Sequence, residues 1–257
     1  MTYQYIRVEH GRIAKLTLNE PEKANAMSPE MAPEFRDAVA GLKADPEVRV
    51  VVLTGAGKAF SGGGRLEMIE ELGRQPFVRN RDYMLDYYAK YMALFSLDVP
   101  VVAAINGAAV GAGMLIAMTA DIRIASDQAK MGVNFVKLGL HPGLGGTFTL
   151  PTLLGYSRAA ELFFTGRLVS GAEAVALGLV NRVVPPEQLL PEALAVAEEI
   201  AANAPQTIRT LKKNLKGRML RELQLCLDDE AAAQASGGGP ELSEGIAAAK
   251  EKRKPNF

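Results

Sequence analysis

A chain of 257 residues with 48% hydrophobic content can bury a sizeable core, as one large domain or as a core with a small appendage. Its 29 basic and 29 acidic residues cancel, so no global field draws nucleic acid, and the single cysteine, Cys226, excludes an internal disulfide framework and suits a reducing compartment such as the cytoplasm. No apolar run reaches membrane-spanning length, and MTYQYIRVEHG lacks the basic and apolar regions of a signal peptide.

In chain order, Tyr3–His10 and Arg12–Leu18 predict two strands turning at Gly11. The loop Asn19–Met27 then leads to a helix capped by Ser28, with Pro29 at its first position, running to about Gly41. Asp45-Pro46 joins it to a β-branched strand, Val48–Leu53. A glycine-rich turn follows, and a helical pattern begins at Leu66. Two nucleotide-binding readings fail in this turn. Gly55-Ala56-Gly57 has Phe60 where a dinucleotide fingerprint needs its third glycine, and Lys58 is not followed by Ser or Thr. What remains is Ser61-Gly62-Gly63-Gly64, bare backbone ahead of a helix.

The stretch 67–96 is the least legible. Charges cluster at its start, and helical spacing puts Tyr83, Tyr87 and Tyr91 on one face with Tyr88 beside it, a stripe expected mainly to pack. Val101–Ile105 is an apolar strand turning at Asn106-Gly107. After it, Gly111-Ala112-Gly113 opens a Met/Leu/Ile/Ala run that favours helix. The grammar of the Val48 stretch is thus repeated: strand, glycines, helix. The first amides of such a helix lack intrahelical partners and carry the positive end of its dipole. Two bare segments on neighbouring turns can supply one N–H each to an oxygen that becomes negative.

Asp121–Ala125 and Met131-Gly132 predict strands, and Val133–Leu138 a brief helix or turn ending at Gly139. Leu140–Thr147 is a loop entering another helix. His141 stands in it, one of two histidines, the other being His10 on an edge strand. Histidine suits proton transfer near neutral pH, which makes His141 a candidate acid or base. Helices are expected at Ser157–Phe164 and Ser170–Leu177, with a strand at Asn181–Val184. Pro185-Pro186 is the clearest hinge. Beyond it the helices Leu189–Asn203, Pro205–Leu215, Leu220–Ala235 and Leu242–Lys252 are expected. Lys212, Lys213, Lys216 and Arg218 read as a solvated basic face rather than an RNA site, and Cys226 as a core residue. No cluster of His, Cys or carboxylates has metal-ligand spacing.

NEPEKANAMS (Asn19–Ser28), AFSGGGRLEM (Ala59–Met68), Ala103–Ser126, LGLHPGLGGT (Leu138–Thr147) and Phe164–Val184 together resemble the enoyl-CoA hydratase/isomerase, or crotonase, superfamily in order and spacing. The resemblance implies an α/β fold, a ClpP-like spiral of ββα units, over residues 1–185. A helical segment, 186–257, would form a homotrimer or hexamer. It implies an acyl-CoA substrate, with coenzyme A part of the substrate and no permanently bound cofactor. The thioester oxygen would sit between the amides of Gly64 and Ala112. Coenzyme A would lie against Lys23, Ala24, Ala26, Gly62, Leu66, Gly111 and Pro142. The chain also departs from the family pattern. Leu115 and Phe135 stand where hydratases carry their two catalytic glutamates, Arg65 where an aspartate is usual, Gly143 where one branch has an aspartate, and Ala249 where an aromatic often precedes the C-terminal tail. The expectation is therefore an acyl-CoA lyase or isomerase with an oxyanion hole but without the usual acid–base pair. Decarboxylation, hydrolysis and non-catalytic CoA-thioester binding are the alternatives.

Overall fold

The computed structural model describes residues 3–217 and 219–257. β1 (Ile6–Glu9) and β2 (Ile13–Leu18) form a hairpin, and α1 (Met31–Ala44) leads to β3 (Val50–Gly55). From β3 the chain repeats one unit, a long strand followed by a short strand and a helix. β3 is followed by β4 (Ala59–Ser61), α2 (Leu66–Leu72) and α3 (Phe77–Met92). β5 (Val101–Ile105) precedes β6 (Ala108–Val110) and α4 (Ala112–Met118), and β7 (Ile122–Ser126) precedes β8 (Met131–Gly132) and α5 (Gly146–Leu154). After α6 (Tyr156–Thr165), α7 (Gly171–Leu177) and β9 (Arg182–Val184), four helices close the chain: α8 (Pro186–Ala201), α9 (Pro205–Gly217), α10 (Met219–Ser236) and α11 (Pro240–Glu251).

The long strands make one six-stranded sheet, ordered β1-β2-β3-β5-β7-β9 and parallel apart from β1; the short ones make a second, β4-β6-β8. Parallel strands covered on both faces read as unbroken apolar runs, which explains Val50–Leu53. Its alternate residues face opposite ways. Val50 and Val52 pack with Leu189, Ala193 and Val196 of α8, while Val51 and Leu53 join the main core. Pro186 is well suited to the first position of α8, where no intrahelical N–H is lost. A spiral of ββα turns follows from the alternation between sheets, as expected.

Some local expectations shift. α1 begins at Met31 rather than Pro29, and the Ser28 hydroxyl accepts the Met31 N–H at 3.1 Å. It runs past Gly41 to Ala44. The short strands β4 and β6 were not anticipated, because three residues are too few to display a period of two.

The basic face on α9 is corrected more substantially. Only Lys213 is exposed; Lys212 is 6% exposed and Lys216 is half-buried, and Arg218 lies outside the described residues. Asp121 holds both ammonium groups, at 2.9 and 3.0 Å, while Lys212 donates to the Val99 carbonyl and Lys216 to that of Thr119. Lys216 also lies 4.4 Å from the Phe95 ring centroid. A helical wheel shows charge, but not that a carboxylate lies beneath it.

Burial and the neighbouring Lys216 pull the Lys212 pKa down to about 8, against the opposing pull of Asp121 and Asp98. Its folded pKa therefore lies below the unfolded value, and the unfolded chain holds the extra proton from about pH 8 to about 10.5. Stability from this group rises with pH across that window. Urea unfolding of wild type and Lys212→Met between pH 7.5 and 10 checks this. Relative to the variant, wild type is expected to gain stability as pH rises; a flat difference refutes the assignment.

Candidate active site

Two turns of the spiral meet where β4 runs into α2 and β6 into α4. The first is braced by the loop before α1. Ala24 and Asn25 both adopt left-handed backbone, at φ 52° and 51°. The buried Asn25 amide accepts from the Glu20 N–H and donates to the carbonyls of Ala56 and Ala59. Gly62 N–H donates to the Ala24 carbonyl and Met27 N–H to that of Gly63, both at 2.8 Å. The Ser61 hydroxyl donates to the Asn25 carbonyl. Ala24 and Gly62 are thus adjacent.

The two segments approach backbone to backbone. Gly63, at φ 92°, lies so close to the second segment that a Cβ there would come 2.6 Å from the Val110 oxygen and 3.4 Å from the Ala112 nitrogen. Gly111, at φ 55°, turns the chain into α4, and Gly113 packs against Ser61 where a methyl group would overlap its backbone. Ala112 is the first residue of α4, so its N–H has no partner within the helix. Gly64 lies outside the regular elements. Among the described residues no acceptor takes the N–H of Gly64 or Ala112.

Gly64 and Ala112 line the same narrow cavity of about 50 Å³. Its walls are mostly apolar: Met68, Ile69 and Leu72 of α2, Met84 of α3, Phe135, and Leu242 of α11. The polar side chains on it are Asn80, Tyr87, Tyr88 and Gln234; among the described residues no carboxylate, histidine, lysine or arginine lines it. Gln234 and Leu242 come from the C-terminal helices, so the cavity is lined by residues on both sides of Pro185-Pro186.

Phe135 turns toward this cavity, its ring within 3.8 Å of where a Cβ on Gly111 would be. Leu115 is fully buried and packs instead against Gly146 at the start of α5. Neither can exchange a proton. His141 is not brought into the cavity: its side chain is exposed, Nδ1 lies 2.7 Å from the Pro142 carbonyl, and its own carbonyl accepts from Gln234. The tyrosines are no substitute base. Tyr87 donates to the Met27 carbonyl and Tyr91 to that of Ser28, and burial holds both, with Tyr88, above the ordinary phenol range. They pin α3 to the loop before α1.

The remaining sequence candidates are not among the residues that line the cavity. Lys23 is exposed and paired to Glu20 at 2.9 Å. Leu66 opens α2, and Pro142 is buried. Arg65 is tied to Glu20 and Glu30, at 3.0 and 3.1 Å. Cys226 is half-buried rather than core, its Sγ 2.9 Å from the Thr147 hydroxyl, and burial pushes its thiol up to about 12.

Sequence reasoning missed Tyr88 as a cavity residue with a polar partner, and it missed Gln234, Leu242 and Glu230 altogether. Glu230 is 1% exposed and receives the N–H groups of Gly145 and Thr147 and the Thr147 hydroxyl, each at 2.7 Å. It anchors the loop that brings Leu140, Gly143 and Leu144 to the cavity. None of the three carries a local signal, since each acts across more than eighty residues.

A sequence profile described as "Enoyl-CoA hydratase/isomerase" matches residues 9–257. The chain is 40% identical over 256 residues to a "Putative enoyl-CoA hydratase" of Thermus thermophilus, covering 98% of this chain and all of that protein. It is 34% identical to the "Crotonyl-CoA hydratase" of Syntrophomonas wolfei, covering 100% and 99% of the two. Among solved structures, the enoyl-CoA hydratase/isomerase from Pseudoalteromonas atlantica superposes with a TM-score of 0.87 at 29% identity, over 99% of this chain and 100% of that one. The enoyl-CoA hydratase from Bacillus halodurans gives 0.88 at 28% identity, over 95% and 100%. With its two-sheet spiral, its C-terminal helices and these full-length matches, the chain belongs to the enoyl-CoA hydratase/isomerase family, the crotonase superfamily.

Proposed function

We propose that the protein binds a short-chain acyl-CoA thioester with its carbonyl oxygen between the amides of Gly64 and Ala112, and stabilises the enolate formed there. The observation that carries this is a pair of N–H groups without an acceptor among the described residues, on two abutting backbone segments whose residues Gly64 and Ala112 line one apolar cavity. In a water-poor site such donors act most strongly on developing negative charge. The coenzyme A moiety lies against Ala24, Ala26, Gly62, Leu66, Gly111 and Pro142, with Lys23, which is exposed, near its phosphates. No permanent cofactor takes part. His141, which does not line the cavity, has no contact that supports a role in proton transfer.

The reaction is of the lyase or isomerase kind, and Cα and Cβ protons are not exchanged with a glutamate pair. Losing each general acid or base typically removes about 10²–10⁴ in rate, so water addition to crotonyl-CoA is expected to be slow. Decarboxylation and thioester hydrolysis, which need fewer side chains, fit the same cavity. A second reading, a CoA-thioester-binding protein without turnover, is favoured by the absence, among the described residues, of any cavity-lining acid, histidine or lysine. The protein acts in the cytoplasm as a homotrimer or hexamer, a reading supported by Tyr156 and Phe164 of α6, 76% and 73% exposed.

Calorimetric binding of the unreactive ketone analogue of butyryl-CoA, in which a methylene replaces the thioester sulfur and the carbonyl is kept, beside steady-state turnover of crotonyl-CoA, tests these readings. Binding with hydration at least about 10²-fold slower than in glutamate-bearing hydratases is the expected outcome. Binding with no turnover of any acyl-CoA favours the second reading. Absence of binding overturns both.

A further inference from the structure

We infer that Tyr88 and Gln234 form a specificity element for an acyl chain bearing a neutral hydroxyl group beyond Cβ. This rests on the reading that the acyl chain enters the cavity of Gly64 and Ala112.

The pair is buried and built from three elements. Tyr88 of α3 is 1% exposed and Gln234 of α10 is 7% exposed, and both line the cavity. Gln234 Nε2 lies 2.7 Å from the His141 carbonyl, which can only accept, so the amide nitrogen is on that side. Its Oε1 then faces Tyr88, and the phenol donates to it at 2.7 Å. Burial keeps the phenol protonated, so it remains a donor to Gln234. The third element is the loop before α5, where a Cβ on Gly143 would collide with the Tyr88 hydroxyl. A side chain at 143 and the hydroxyl cannot share that space.

These bonds leave capacity unspent. Among the described residues, nothing donates to the Tyr88 oxygen, and one N–H of Gln234 has no acceptor. A lone pair and an N–H side by side suit a group that both donates and accepts, which is a hydroxyl. A carboxylate is poorly served, since among the described residues no cation lines the cavity. Neither member of the pair is among the atoms nearest a Cβ on Gly64 or Gly111, which sets the pair apart from the proposed thioester position. The side chains nearest a Cβ on Gly64 are Ile69 and Met68, and those nearest one on Gly111 are Asn134 and Phe135.

Pentanoyl-CoA and 4-hydroxybutyryl-CoA are nearly isosteric, differing by a terminal methyl against a hydroxyl. Their affinities, with that of 3-hydroxybutyryl-CoA, are to be measured by calorimetry on wild type, Tyr88→Phe, Gln234→Met and the double variant, each variant checked for wild-type circular dichroism. Wild type is expected to bind the 4-hydroxy compound about tenfold more tightly than pentanoyl-CoA, from two net hydrogen bonds of ordinary strength. Combined in one protein, the two substitutions leave no polar partner for a hydroxyl and are expected to reverse that order, while each alone leaves one member of the pair and is expected only to change the size of the preference. Wild type that binds pentanoyl-CoA best, or favours the hydroxyl only at C3, overturns the inference and leaves the acyl-CoA reading standing. Failure of wild type to bind any of the three overturns both. Should a variant misfold, the order of affinities in wild type decides.

Discussion

Ala112→Pro is expected to lower affinity for acetoacetyl-CoA by about 10²–10³-fold while leaving the fold intact. This β-keto thioester ionises to a stable enolate, so its binding reports on charge held at the thioester oxygen without any need to know the natural reaction. Proline removes one N–H and nothing else that the helix uses, because Ala112 is the first residue of α4, where proline is well tolerated. Butyryl-CoA, whose carbonyl stays neutral, is expected to lose far less. Equal losses for the two ligands would show that the substitution had merely narrowed the cavity. Unchanged affinity for both would remove Ala112 from the site.

Glu230→Ala is expected to cost about 2–4 kcal/mol of stability in urea unfolding, from about 1–3 kcal/mol for the buried Gly145 amide and about 1 kcal/mol for the part-buried Thr147 amide, both left without an acceptor. Those amides, of Gly145 and Thr147, begin α5, and the carboxylate of α10 is their partner. The Thr147 hydroxyl can find another acceptor, so it is left out of the figure. Glu230→Gln is expected to recover less than half, since its NH₂ would point at one of the two N–H donors. The loop thus released carries Gly143 and Leu144 to the cavity, so acyl-CoA affinity should fall with stability. A change within about 0.5 kcal/mol for Glu230→Ala would mean that water replaces the carboxylate at no cost.

The parts of the site made of backbone were readable in advance. Glycine runs between a β-branched run and a helical run can be recognised locally, so the segments Ser61–Gly64 and Gly111–Gly113 could be marked before any contact was known, and the family resemblance then singled out Gly64 and Ala112 within them. The strap at Ala24 and Asn25 was readable only through resemblance, because two left-handed residues without glycine leave no local trace. His141 shows the limit of local chemistry. Its residue type suits catalysis, but Gln234 holds its carbonyl, its Nδ1 lies against the Pro142 carbonyl and the residue does not line the cavity. Lys212 and Lys216 show the same limit on a helix, where spacing gives the face but not the Asp121 beneath it.

By itself, the sequence determined the alternation of strand, glycine turn and helix, the bare backbone at two of those turns, and the absence of a glutamate at positions 115 and 135. Those are local properties, set by backbone conformation and side-chain type within a few residues. The tertiary structure alone decided which side chains wall the cavity and which polar groups remain unspent there. Tyr88 and Gln234 are 146 residues apart, and no periodicity along a chain encodes a hydrogen bond between two helices that meet only after the sheets are closed.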